Sequence, residues 1–114
     1  WLGDEAQMHA VTAVSGSGSA YVFYLMHALQ QAAQGLGFGA DAARALSLQT
    51  FRGAVELAAQ SGADFAALQD AVTSKGGTTF AALETFRRRA VAEHLREGVN
   101  AAAARSVELG RELG

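Results

Sequence analysis

One segment of this chain is apolar around almost its whole circumference when it is drawn as a helix: SAYVFYLMHALQQAAQ, residues 19–34. A helix of that kind either spans a bilayer or is covered by protein on every side. The segment is too short to span, and it ends in the polar residues Gln30, Gln31 and Gln34. We therefore expect a helix that lies inside a bundle or in an interface between subunits.

Clusters of glycine and serine divide the rest of the chain into pieces of helical length: SGSGS at 15–19, GLGFG at 35–39, SG at 61–62 and SKGG at 74–77. No piece shows the alternation of a strand, and 26 of the 114 residues are alanine, the best helix former. The fold class predicted is all-α. Six helices are expected, at about residues 4–14, 19–34, 41–60, 64–72, 78–87 and 88–113. Asp41 and Asp64 are placed to act as N-caps.

Length and composition bound the function. The 114 residues fit one domain; half of them are apolar, 18% are charged and the net charge is -2, which argues against a nucleic-acid partner. The chain has no cysteine, no apolar run long enough for a membrane span and no signal-peptide pattern at its start, so we expect a cytoplasmic protein. Because alanine buries little area, a second subunit is expected to complete the core.

Several kinds of site find no support in the sequence. His9, His27 and His94 are not spaced as helical metal ligands, so no metal is expected and each histidine is predicted to be structural or on the surface. The SGSG run at 15–18 has neither the spacing of a nucleophile elbow nor that of a dinucleotide loop. It is interpreted as a hinge with Ser17 or Ser19 as an N-cap, or as a ligand contact.

The most informative break is TSKGGTT at 73–79, which precedes the fifth predicted helix. The first turn of a helix presents unpaired N–H groups and the positive end of the helix dipole, and glycines allow close approach, so a carboxylate could bind there. The alternative is that Thr78 or Thr79 only caps the helix and that Gly76 only ends the preceding one. The pattern alone leaves both open.

The order of four segments resembles the C-terminal helical domain of pyrroline-5-carboxylate reductase. The segments are AVTAVSGSGSAYVFYLMHAL at 10–29, ALSLQTFRGAVELAAQSG at 45–62, LQDAVTSKGGTTFAALETF at 68–86 and AAAARSVELG at 101–110. The SGSG and TSKGGTT motifs are the most specific parts. The resemblance favours the ligand-binding interpretation of the loop at 73–79.

The resemblance implies an enzyme that reduces pyrroline-5-carboxylate to L-proline with a hydride from NADPH or NADH, the last step of proline biosynthesis. It also implies a Rossmann-type cofactor domain followed by an interlaced helical domain that forms a homodimer and can assemble further into rings. Residues 1–114 would be the dimerisation and substrate-binding domain alone, inactive without the cofactor domain.

The resemblance also assigns residues. Ser74, Gly76, Gly77 and Thr78 would hold the substrate carboxylate, with hydrogen bonds from the Ser74 hydroxyl and from the N–H groups of Gly77 and Thr78. Thr79 would be the catalytic residue whose hydroxyl hydrogen-bonds the ring nitrogen. A further residue, Val72, would line the nicotinamide side.

Two positions depart from the family pattern, since Ser19 and Lys75 stand where proline is common. Serine can cap the second helix in place of proline. Lys75 either loosens the loop or attracts the anion more strongly, and the sequence leaves both effects open.

Two other functions remain as alternatives. One is a non-catalytic helical oligomerisation module, and the other is the helical domain of a different imine or hydroxyacid dehydrogenase.

Overall fold

The computed structural model describes residues 4–113, and within that range the chain is helical with no strand. The elements are α1 Glu5–Val11, a π-helical turn Thr12–Gly16, α2 Gly18–Gly35, α3 Ala40–Ser61, α4 Phe65–Ala71, α5 Thr78–Arg88 and α6 Val91–Leu113. The all-α prediction and the six predicted helices are confirmed. No helix in the described part of the chain combines the length and apolarity that crossing a membrane requires.

The chain forms two compact units, each described here by itself. Within the described residues, the first unit combines residues 4–21 with 83–113. His9 joins α1 to α6 through a 2.7 Å hydrogen bond between its Nδ1 and the Ser106 hydroxyl, which confirms that His9 is structural. The Tyr21 hydroxyl donates to the carbonyl of Ala13, a buried residue of the π-helical turn, at 2.6 Å.

The second unit comprises residues 22–82. Its helices α2 and α3 approach closely where α3 carries the small buried residues Ala43 and Ser47. The Ser47 hydroxyl donates to the Met26 carbonyl at 2.7 Å, so this buried polar group is satisfied. Between α2 and α3 the chain turns through Gly37, whose φ of 110° suits glycine.

One of the two expected N-caps is wrong, and the other is confirmed in its position. Asp41 is not an N-cap, because Gly39 caps α3 and Asp41 lies in the first turn, where its charge complements the helix dipole. Asp64 does occupy the N-cap position of α4, although its side chain makes no capping hydrogen bond.

The SGSG run, interpreted above as a hinge or a ligand contact, ends a π-helical turn, and Ser17 lies directly before α2. The Ser17 N–H donates to the carbonyl of Thr12, five residues earlier, at 2.9 Å, so the chain stays helical as a π-turn. The hydroxyls of Thr12 and Ser15 each donate to a carbonyl four residues back. Ser19 lies inside α2 and caps nothing.

The α5–α6 junction differs from the expected boundary at Arg88. The helices are separated by a turn at residues 89–90, and Ala90 has a φ of 54°. A non-glycine residue in this left-handed region costs about 1 kcal/mol. This left-handed residue ends the turn, and α6 begins at the next residue, Val91.

Few side chains are buried by the chain itself. Among residues 4–113, only Ala13, Ala43 and Ser47 are classed as buried. The segment that was expected to be covered is exposed here: Phe23 is 66% exposed and Tyr24 is 76% exposed. The single chain therefore does not cover the apolar side chains of α2.

Candidate functional site

The predicted ligand loop connects α4 to α5 and contains one tight turn. The Gly77 N–H donates to the Ser74 carbonyl at 3.0 Å, and Gly76, the third residue of this turn, has a φ of 77°. These are the features of a type II turn, with Lys75 at its second position. Gly76 therefore provides the left-handed conformation of the turn and does not end α4, whose C-cap is Val72.

The turn leaves little room for a side chain at Gly77. A Cβ atom built there would lie 3.2 Å from the Ser74 carbonyl oxygen, closer than ordinary van der Waals contact. Gly77 also accepts a hydrogen bond from the Ala81 N–H at 3.1 Å and so occupies the cap position of α5. Its own N–H is engaged by Ser74, which corrects the expectation that this group is free to bind a carboxylate.

The free backbone donors lie one residue further along. Thr78 and Thr79 are the first residues of α5, and helix geometry gives their N–H groups no intrahelical acceptor. Within residues 4–113, no hydrogen bond outside the helices uses either N–H as a donor. The positive end of the helix dipole coincides with these two donors, which suits a small anion.

Three hydroxyl groups are also available at this loop. Ser74, Thr78 and Thr79 are exposed, and none of their hydroxyls has a hydrogen-bond partner in the described part of the chain. The alternative that Thr78 or Thr79 serves only as an N-cap is wrong, because both lie inside the helix and Gly77 precedes them. The loop therefore contains several neutral hydrogen-bond donors that are unpaired within the described part of the chain.

Val72 provides an apolar surface next to these donors in sequence. It is the C-cap of α4 and is 62% exposed. An exposed aliphatic side chain fits one face of a nicotinamide ring, whereas no strand in residues 4–113 provides the strand-to-helix phosphate loop that dinucleotides use. Val72 therefore stays a predicted contact of the nicotinamide, and a strand-to-helix phosphate loop is not found in residues 4–113.

Lys75 is the only charged residue between Thr73 and Thr79. Its place at the second position of a type II turn explains why proline is compatible with this site, since proline presets the φ that the position requires. The type II turn thus explains why proline is common at this position in the family pattern.

Lys75→Pro is expected to raise the free energy of unfolding by about 0.4–1 kcal/mol, because proline lowers the entropy of the unfolded chain at a position it already fits. Urea unfolding monitored by circular dichroism measures the change. Lys75→Ala is the control, because it removes the charge without restricting φ. Destabilisation by Lys75→Pro would contradict the type II assignment.

One hydroxyl of the loop was not singled out from the sequence. Thr73 is half-buried, and its hydroxyl donates to the Gln69 carbonyl at 2.6 Å. The available signal was its position four residues after Gln69 at the end of a helix, where threonine commonly bonds back to a carbonyl.

Fold and loop together define a helical domain that presents unused hydrogen-bond donors at a helix start and leaves large apolar side chains exposed. A family profile described as pyrroline-5-carboxylate reductase dimerisation matches residues 5–109. The chain belongs to this family. This match confirms the family resemblance noted in the sequence. It does not support the alternative of a different imine or hydroxyacid dehydrogenase.

Individual relatives agree. The chain is 46% identical over 114 residues to a pyrroline-5-carboxylate reductase of Pseudomonas aeruginosa, covering 100% of this chain and 42% of that protein. It is 39% identical over 112 residues to pyrroline-5-carboxylate reductase 2 of Bacillus subtilis, covering 98% and 40%. The chain thus spans about two-fifths of the length of these relatives.

A solved structure shows the same fold. The NADP-bound pyrroline carboxylate reductase of Plasmodium falciparum superposes with a TM-score of 0.89 at 31% identity, over 94% of this chain and 41% of that one. The pyrroline-5-carboxylate reductase of Coxiella burnetii gives a TM-score of 0.89 at 38% identity, over 96% and 40%.

Proposed function

We propose that residues 1–114 are the C-terminal dimerisation and substrate-binding domain of a reductase that converts pyrroline-5-carboxylate to L-proline with a hydride from NADPH or NADH. The family supports this, as does the length comparison, since the matched relatives are more than twice as long. A Rossmann-type cofactor domain ahead of Trp1 completes the enzyme in this proposal.

The loop performs the recognition step. The substrate carboxylate accepts hydrogen bonds from the Ser74 hydroxyl and from the free N–H of Thr78, while Gly76 and Gly77 keep the approach clear of side chains. The single observation that carries the proposal is that these donors are exposed and without partners among the described residues. Donors at a helix start bind a carboxylate because unpaired N–H groups and the positive end of the helix dipole coincide there.

Thr79 orients the ring. A hydrogen bond between its hydroxyl and the ring nitrogen would orient the imine carbon, and Val72 would line the nicotinamide side of the pocket. A bound cofactor would supply the hydride, and the ring nitrogen would take its proton from solvent. The contribution of this chain is positioning, which can lower a barrier by several kcal/mol when geometry is fixed in advance.

The domain also forms a homodimer in this proposal. Large apolar side chains of the described residues are exposed: Phe23, Tyr24, Val55 and Phe65 are each at least 66% exposed. A second copy that covers α2 and its neighbours accounts for this surface. Assembly into a higher oligomer would bury the exposed apolar surface that the dimer leaves uncovered.

An activity comparison tests the proposed function. NADPH and NADH oxidation with pyrroline-5-carboxylate are measured for the 114-residue chain and for a version extended by the upstream domain. We expect turnover only in the extended protein, because this chain offers no site for the cofactor phosphates within its described residues. An extended protein that dimerises but never turns over substrate would favour the non-catalytic oligomerisation module instead.

A further inference from the structure

We infer that Thr73 is a positioning residue, which sets the direction of Ser74 by tying the start of the loop to the last turn of α4. The inference rests on the proposed function, in which Ser74 binds the substrate carboxylate. It adds a residue whose hydroxyl is bonded to the backbone of α4 and would therefore act on the ligand only through its neighbour.

Two hydrogen bonds hold Thr73. Its hydroxyl donates to the Gln69 carbonyl at 2.6 Å, and its N–H donates to the Asp70 carbonyl at 3.1 Å. Backbone and side chain of one residue are therefore both attached to α4. Because the hydroxyl bond also restrains χ1, the Cα atom of Thr73, from which the chain continues into Ser74, is held against the last turn of α4.

The loop is anchored at its other end as well. The Gly77 N–H donates to the Ser74 carbonyl at 3.0 Å, which closes the turn immediately before α5. Ser74 thus lies between one anchor on α4 and one turn on α5. Its exposed side chain has no partner of its own among the described residues, so its direction is inherited from these two attachments.

The hydroxyls of the loop therefore have different uses. Those of Ser74, Thr78 and Thr79 are unused within residues 4–113, whereas that of the half-buried Thr73 is bonded to the backbone. Threonine suits this position because its methyl group can pack while its hydroxyl bonds back to the helix. Valine keeps the shape and removes only the bond.

Thr73→Val in the extended protein is expected to raise KM for pyrroline-5-carboxylate by about 3- to 10-fold, the factor that corresponds to one net hydrogen bond. The kcat should stay within about twofold, because a carboxylate is held equally in the ground state and the transition state. The Kd of L-proline, measured by calorimetry without cofactor, should rise by a similar factor. Thr73→Ser keeps the hydroxyl and should restore both values.

A double-mutant cycle separates positioning from general loosening. In a Ser74→Ala background, Thr73→Val should change KM by less than about twofold, since the group it positions is already absent. Thr50→Val is the matched control, because the Thr50 hydroxyl makes the same type of bond, at 2.7 Å to the Leu46 carbonyl, within α3. This control should leave KM unchanged.

Three results would overturn the inference: an unchanged KM in Thr73→Val, an equal rise of KM in the Ser74→Ala background, or an equal rise from Thr50→Val. Thr73→Ala serves as the hydroxyl-free variant if valine prevents folding. If Ser74→Ala itself leaves KM and the Kd of L-proline unchanged, the proposed carboxylate site fails, which is distinct from failure of Thr73 alone.

Discussion

Thr79→Val in the extended protein should lower kcat for pyrroline-5-carboxylate reduction by about 100-fold, the lower end of the range seen when an enzyme loses one donor aimed at the reacting group. The physical reason is that valine keeps the shape of threonine and removes only the hydroxyl proposed to orient the ring nitrogen. Steady-state kinetics with saturating NADPH measure the effect.

The variant should fold normally. Thr79 is exposed, and its hydroxyl has no partner among residues 4–113, so removing it leaves no buried group unsatisfied. Thr79→Ser is the control, because it retains the hydroxyl and should recover most of the turnover. An unchanged kcat/KM in Thr79→Val would remove this residue from the catalytic role.

Phe23→Glu should weaken self-association of the 114-residue chain by at least about 100-fold, because an unpaired carboxylate buried in an apolar interface costs several kcal/mol. Phe23 is 66% exposed in the single chain and lies on α2, the helix that is apolar on nearly every side. Sedimentation equilibrium across a range of protein concentrations measures the dissociation constant.

Gln31→Glu is the matched control on the same helix, since it adds the same charge at an exposed polar position. It should leave the dissociation constant within about threefold, as expected for a solvated charge outside the apolar interface. A dimer of Phe23→Glu as tight as the parent would show that α2 is not part of the interface.

How much of the fold could be predicted depended on local signals. Glycine clusters and helical periodicity gave the six helices within a few residues, because turns and caps depend on neighbouring residues. The π-turn at Thr12–Gly16 was missed, since composition alone cannot distinguish a break from a helix with one wider turn. Ala90 was missed for a similar reason, because alanine carries no signal for a positive φ.

The sequence could predict where the loop lies but not how it is bonded. The motif at 73–79 marked a break before a helix, yet the sequence could not reveal that the Gly77 N–H is used inside the turn and that Thr78 and Thr79 carry the free donors. Hydrogen-bond partners depend on the turn type, which here is defined by the φ of Gly76.

The exposure of α2 in the single chain could be predicted only in part from the sequence. The apolar circumference indicated that something must cover residues 19–34, but not whether the cover comes from the same chain. In the structure Phe23 and Tyr24 are still exposed. We therefore propose that a second copy of the chain covers them.

A crystal structure of the extended protein with L-proline bound tests the proposed carboxylate site most directly. We predict that a carboxylate oxygen of the amino acid lies within about 3.2 Å of the Ser74 hydroxyl and of the Thr78 N–H, the ordinary range for such bonds. Proline bound elsewhere, with Ser74 and Thr78 unengaged in an enzyme that turns over, would contradict the account.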